Sequence, residues 1–200
     1  SSETTVVDWQ LGDLNKSIPV GDSRSGNPVT IDSPFGEAVL FDGKQDGLLV
    51  DKNPLVNLRQ FTVEVIFRPD PKGLAEQRFL QRGEVNGERM MLETRLTSDD
   101  QWYLDAYIKS GDSSKALIDK NKLHPAGEWY HLAFVVDNGK MDTYVAGKHE
   151  LEGRVPFAPF KTGRTSIGVR MNKVYWFKGA IARIRVTAKC LTPSEFIMSR

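Results

Sequence analysis

Apolar residues in this chain recur at every second position, almost never at helical spacing. Period two is the spacing of a β-strand, whose side chains point alternately to opposite faces. In Phe61-Thr62-Val63-Glu64-Val65-Ile66-Phe67-Arg68, one face carries Phe61, Val63, Val65 and Phe67. Thr62, Glu64 and Arg68 take the other, with Ile66 as the exception. Pro69 ends that strand by removing a hydrogen-bond donor. Trp102, Leu104, Ala106 and Ile108 alternate in the same way with Tyr103, Asp105, Tyr107 and Lys109.

The last third of the chain, Trp129 to Phe196, sets the connectivity. His131–Val136 runs into Asp137-Asn138-Gly139-Lys140, and Asn-Gly is the strongest short hairpin signal because both central residues of a type I′ turn need positive φ. The return strand is Met141–Val145, ended by Ala146-Gly147. Ile181–Val186 forms another strand, with Ile184 and Val186 inward and Arg183 and Arg185 on its wet face. Only Thr192-Pro193-Ser194-Glu195-Phe196 reads as helical, a capping box with Pro at the first helical position. The 17 Gly and 10 Pro punctuate the chain at the short intervals that many brief strands require. The expected architecture is all-β: two packed antiparallel sheets of roughly a dozen strands, one domain over residues 1–200 with a single short C-terminal helical turn.

Charge excludes some partners. With 27 basic and 26 acidic residues the formal net charge is +1, and the basic residues form no stripe, so nucleic acid is not an expected partner. No run of apolar residues is long enough to span a membrane as a helix. Cys190 has no partner for an internal disulfide, and with no His nearby in sequence it reads as a small residue tucked under a turn rather than a nucleophile. The sequence reads as one without a leader in it. Its polar start, Ser1-Ser2-Glu3-Thr4-Thr5, reads as the mature end left after leader removal or as a chosen boundary, and either suits an exported protein.

Four segments, in order, resemble a known family. Phe35-Gly36-Glu37-Ala38-Val39-Leu40-Phe41-Asp42-Gly43 with Gly47-Leu48-Leu49-Val50 is similar to that family's GKALxFDGxxDYVxV segment. Phe61–Pro69 is similar to its FTVExWVKP strand, and Glu128–Lys148 to xWHHVAxxxDxGxxxLYVNGK. Phe177–Ile181, continuing to Leu191–Glu195, resembles FNGxIDEVRIYNRALSPEE. The family is the laminin-G-like, concanavalin A-like lectin/glucanase jelly roll, in the form common among exported bacterial proteins. The resemblance implies a jelly-roll sandwich and a role as a carbohydrate-binding module, a glycan hydrolase, a protein-binding domain or a calcium-dependent binder. Ala182 and Arg183 stand where the family pattern has an acidic pair, so any role of that pair is missing here.

Candidate chemistry is sparse. Retaining glycosidases need two carboxylates about 5–5.5 Å apart, and on one strand of this fold that reads Glu-x-Asp-x-(x)-Glu. The chain has no such run; Glu93, Asp99, Asp100 and Asp105 are spaced wrongly for it. Gly21-Asp22-Ser23 and Gly111-Asp112-Ser113 look like serine-esterase triplets but lack a His base at a fitting spacing, so they read as polar turns. Glu128-x-x-His131 lacks the second His of a zinc helix, and His131 reads as a satisfied strand residue. Asp42, Asp46 and Asp51 lie among glycines; turn capping is the leading reading and calcium the minor one. No catalytic residue, metal ligand or cofactor is assigned.

Aromatic residues give the best functional clue, because sugars pack their flat C–H faces on exposed rings. Trp102, Tyr103, Tyr107, Tyr175 and Trp176 are the candidates for stacking, and Asp105, Arg170 and Asn172 for hydrogen bonding to hydroxyls. The expected function is a non-catalytic glycan-binding module of an exported bacterial protein, with a polysaccharide or glycoconjugate as partner. Two alternatives stand beside it. One is a glycoside hydrolase, or an accessory domain of one, with a nonstandard carboxylate pair. The other is a protein-contact domain in a surface assembly.

Overall fold

A computed structural model describes residues 4–18 and 23–197. The strands in chain order are β1 (Thr5–Gln10), β2 (Arg24–Ser25), β3 (Val29–Ile31), β4 (Ala38–Asp42), β5 (Gly47–Val50), β6 (Gln60–Pro69), β7 (Glu76–Arg82) and β8 (Arg89–Leu96). They continue with β9 (Gln101–Ser110), β10 (Ser113–Ile118), β11 (His124–Pro125), β12 (Tyr130–Asp137), β13 (Lys140–Val145), β14 (Lys148–Arg154), β15 (Thr165–Ile167) and β16 (Lys178–Thr187). One sheet has the order β14-β13-β12-β6-β16-β4-β3, with β1 also on β16; the other runs β10-β9-β8-β7-β15-β5-β2, with β11 on β9. The pairs within both sheets are antiparallel, as in β6–β16 and β8–β9. This is the two-sheet jelly-roll sandwich the sequence led us to expect.

Alternation builds the core between the sheets. Phe61, Val63, Val65 and Phe67 of β6 face it, as do Leu104, Ala106 and Ile108 of β9 and Ile184 and Val186 of β16. Phe67 is the centre of an aromatic column: it stacks on Phe79 at 4.6 Å between ring centroids and meets Trp102 edge-on at 5.4 Å. Phe177 packs against both phenylalanines. The Asn138-Gly139 turn joins β12 to β13 with φ of 47° and 95°, both positive as a type I′ turn demands. Ala146-Gly147 repeats the device, with φ of 52° and 77°, and sends the chain into β14.

Three details differ from expectation. The helical content is not confined to the C-terminus, since helix α1 spans Leu11–Ser17 and buries Leu11, Gly12 and Asn15. A seven-residue helix carries too little periodicity to stand out, and Gly12 is there because Glu37 crosses so closely that a Cβ would lie 2.4 Å from it. The second difference is the supposed wet face of β6. Thr62 and Glu64 are fully buried, because residues 189–197 fold back over the outer face of the first sheet. Ile66, out of phase in the sequence, is covered on that same face by Phe35, Trp129 and Ile197. The third lies in β16, where the register shifts between Ile181 and Arg183. Ala182 is the extra residue, fully buried, and its carbonyl accepts a 3.1 Å bond from Gln10 Nε2.

The C-terminal turn forms as expected. Thr192 N–H donates to Glu195 Oε1 at 3.2 Å, closing the capping box over a 3-10 turn at Pro193–Glu195. Cys190 packs with Ala133, Val135, Leu191 and Phe196. Burial pushes its thiol up to about 11, which disfavours the thiolate. Gly111-Asp112 makes the turn between β9 and β10; Gly21 and Asp22 lie outside the described residues.

Candidate glycan-binding face

The two outer faces of the sandwich differ. The middle of the first sheet's outer face is covered by the chain itself, with Glu64 at its centre. Glu64 accepts from His131 Nε2 at 2.9 Å, Arg185 Nε at 2.6 Å and the Ile197 amide at 2.7 Å. His131 is thus the satisfied strand residue the sequence suggested, and its ring stacks on Phe196 at 5.2 Å.

The second sheet instead presents polar side chains in rows across β9, β8 and β7. Tyr103 lies opposite Arg95 and, beyond it, Glu76. Asp105 lies opposite Glu93 and then Arg78; Tyr107 opposite Met91 and then Gln81; Lys109 opposite Arg89. Tyr103 and Tyr107 are four residues apart, about 13 Å along the strand. The segment after β15 closes one side of this face. There the Arg78 amide donates to the Tyr175 carbonyl at 2.9 Å, and the Met171 amide to Gln81 Oε1 at 3.0 Å.

Beneath the tyrosines lies an ionic network. Arg95 Nη2 reaches Asp105 at 2.8 Å, Glu76 at 3.3 Å and Glu93 at 3.4 Å. Arg78 pairs with Glu93 at 2.9 Å and also with Glu76. Glu93 and Asp105 are only 2% and 5% exposed. Burial, reinforced by Asp105, raises Glu93 to about 7, against the pull of Arg78 and Arg95. Burial also raises Asp105, and Arg95 opposes it. Burial would raise Glu76 as well, but its bonds to Arg78 and the charges of Arg95 and Arg170 leave it below the ordinary range. The network therefore ties β7, β8 and β9 together across the floor of the face and sets the charge it shows.

The expected site residues separate. Tyr103, Asp105 and Tyr107 share the outer face of β9, as alternation predicted. Arg170 and Tyr175 join them from the loop: the Arg78 guanidinium lies 4.2 Å from the Tyr175 ring centroid and that of Arg170 at 6.0 Å. Tyr175 is 37% exposed and adopts φ of 58°, a left-handed conformation costly for an aromatic residue. Asn172 is exposed at the tip of the same loop. Trp176 is half-buried, and among the described residues no ring or ionic contact of the face includes it. Trp102 is a correction. It points the other way, is 0% exposed, and packs against Phe67, His124 and Tyr130, so it cannot stack on a sugar.

A family model described as the concanavalin A-like lectin/glucanases superfamily matches residues 42–196. The chain belongs to that superfamily. No curated protein matches it by sequence. Among solved structures of the same fold is domain 4 of AbnA, an extracellular arabinanase from Geobacillus stearothermophilus, in complex with arabinotriose. It is 20% identical, with 96% of each chain covered and a TM-score of 0.67. A heptameric SAP-like pentraxin from Limulus polyphemus is 20% identical over 78% of this chain and 77% of its own, with a TM-score of 0.62. The binding domain of botulinum neurotoxin DC, in complex with SialylT, is 14% identical over 98% of this chain and half of its own, with a TM-score of 0.68. At these identities the likeness concerns the fold.

Within this superfamily member, the aspartates weighed as calcium ligands serve the backbone. Asp42 Oδ1 accepts from the amides of Lys44, Gln45 and Asp46 at 2.9–3.0 Å. Both oxygens of Asp46 accept amides, those of Asn27 and Asp42. These bonds give Asp42 and Asp46 the turn-capping role that was the leading reading, and Asp51 stands exposed apart from them. Sequence reasoning missed Glu76, Arg78, Arg89, Glu93 and Arg95. The available signal was the charged phase of Arg89-Met90-Met91-Leu92-Glu93-Thr94-Arg95, where polar positions alternate with Met90 and Leu92.

Proposed function

We propose that the protein is a non-catalytic glycan-binding module and that the outer face of the second sheet is its site. The observation that carries this reading is the contrast between the two outer faces. The chain folds its own C-terminal segment over the middle of one and leaves the other with half-exposed Tyr103, Tyr107 and Tyr175 over a polar floor. Rings of this kind offer flat apolar surface at low entropic cost, and the polar groups between them can bond hydroxyls. The relatives solved with arabinotriose and with SialylT support a carbohydrate partner, and the extracellular relative supports an exported setting.

The Glu93–Asp105 pair is the one observation that points toward hydrolysis. Cross-strand partners on one face are close enough to act together, and Glu93 is poised near neutrality. Yet both carboxylates are almost wholly covered, and Arg95 binds each of them, so neither is free to attack a sugar or hand it a proton. Binding is therefore the better reading. A panel of neutral and charged polysaccharides, screened for binding and for release of reducing sugar, tests it. Retention without hydrolysis is expected, with affinity reduced about tenfold or more in Tyr107→Ala and Tyr175→Ala. Reducing-sugar release abolished by Glu93→Gln would transfer the protein to the enzymes, and silence across the panel would remove the glycan reading.

A further inference from the structure

The row at one end of the face is unlike the others. Arg89 and Lys109 are direct cross-strand partners, and Ser114 is the next residue across. Like charges placed opposite each other destabilise a sheet. In the neighbouring rows of the sheet the cations are matched: Arg78 and Arg95 hold Glu76, Glu93 and Asp105. Among the described residues neither Arg89 nor Lys109 makes an ion pair. Nor is Arg89 a loose surface side chain. Its Nη1 donates to the Gly87 carbonyl at 2.8 Å and its Nη2 to the Tyr107 hydroxyl at 3.4 Å. Its guanidinium carbon lies 5.1 Å from the Tyr107 ring centroid, and its Nε is buried without a partner. Arg170, beside Tyr175, also has no ion pair among the described residues. A chain of formal charge +1 thus concentrates unmatched positive charge where its tyrosines are exposed.

We propose that the glycan taken by this face is anionic, with a carboxylate or sulfate of one sugar held against Arg89 and Lys109 beside Tyr107. A fixed guanidinium next to an ammonium suits an oxyanion, since charge-assisted bonds are stronger than neutral ones and the planar fork matches two oxygens at once. The bound anion also relieves the repulsion between the two cations. This inference rests on the glycan-binding reading and adds the charge of the ligand to it.

The test compares polymers that differ only in charge: polygalacturonate with its methyl ester, and dextran sulfate with dextran, measured by calorimetry at low and high salt. At least one anionic polymer is expected to bind about tenfold or more tightly than its neutral counterpart and to weaken with salt. The Arg89→Gln/Lys109→Gln double variant should lose that advantage. Its melting temperature should hold or rise, because a like-charge pair is gone, which separates lost binding from lost folding. Lys148→Gln, an exposed cation elsewhere, should change nothing. The polygalacturonate and dextran sulfate arms distinguish a carboxylate from a sulfate. Neutral polymers binding as well as charged ones, with Tyr107→Ala still impaired, would overturn the anionic preference and leave the glycan site standing. Unchanged binding of the anionic polymers by the double variant would overturn the subsite. Failure of every polymer to bind would take the glycan reading with it.

Discussion

Trp102 and Tyr107 are aromatic residues on one strand, and five positions separate them, so they point to opposite faces. That parity decides their roles. Trp102 fills the space between the sheets, where its ring meets Phe67 and Tyr130. Trp102→Ala should cost about 3–5 kcal/mol in urea unfolding, the range for deleting a large buried aromatic side chain. Trp102→Phe should keep the fold and leave glycan affinity as it is, since the residue touches no part of the face. Tyr107→Ala should reverse the pattern. It removes a half-exposed ring, so stability should change by about 1 kcal/mol or less, while binding weakens about tenfold. An equal loss of stability in the two alanine variants would contradict the placement of Tyr107 outside the core.

At the scale of elements, β6 explains how the middle of one outer face came to be covered. Its inward phase makes the core and its outward phase makes a polar socket. Thr62 donates to the Lys189 carbonyl at 2.7 Å and accepts from the Leu191 amide at 2.9 Å, while Glu64 takes His131, Arg185 and the Ile197 amide. Glu64→Gln removes the charge that Arg185 faces and should cost about 3 kcal/mol, as breaking a buried pair does. Hydrogen exchange at the Ile197 amide should rise well beyond the global change, because its acceptor is altered. Uniform acceleration across the sheet would argue against a local latch. The strands, the hairpin at Asn138-Gly139 and the C-terminal capping box were legible because each is written in consecutive residues. The cover over Glu64 was not, because its donors come from positions far along the chain. The ionic floor was hidden for the same reason. Glu93 and Asp105 meet through the register of β8 on β9, which the alternation of either strand alone leaves open. Trp102 misled because an aromatic beside Tyr103 counts as a sugar platform only once its face is known.

For the whole molecule, the near-balance of charge leaves no strong global field, so the pH response near neutrality comes from local groups. Glu93 dominates among those with a resolved shift: burial, beside Asp105 and Glu76, carries it from 4.5 to about 7 despite Arg78 and Arg95. In the folded protein it keeps a proton that the unfolded chain releases near pH 4.5. Between those values the folded state binds more protons, so stability falls as pH rises, with nearly the full benefit present below about 4.5 and lost above about 7. Asp105, raised by burial as well, contributes with the same sign. Over the whole interval the loss from Glu93 is about 3 kcal/mol, of which a buffer range inside that interval reads only part. Melting temperature should therefore drop by roughly 5 °C between mildly acidic and mildly alkaline buffer. Glu93→Gln fixes an uncharged group in the same place and should flatten most of that slope, with Tyr107→Ala, a change on the same face that leaves Glu93 in place, as the control that keeps it. An unaltered slope in Glu93→Gln would assign the pH response to other groups and remove Glu93 as the proton-holding member of the floor.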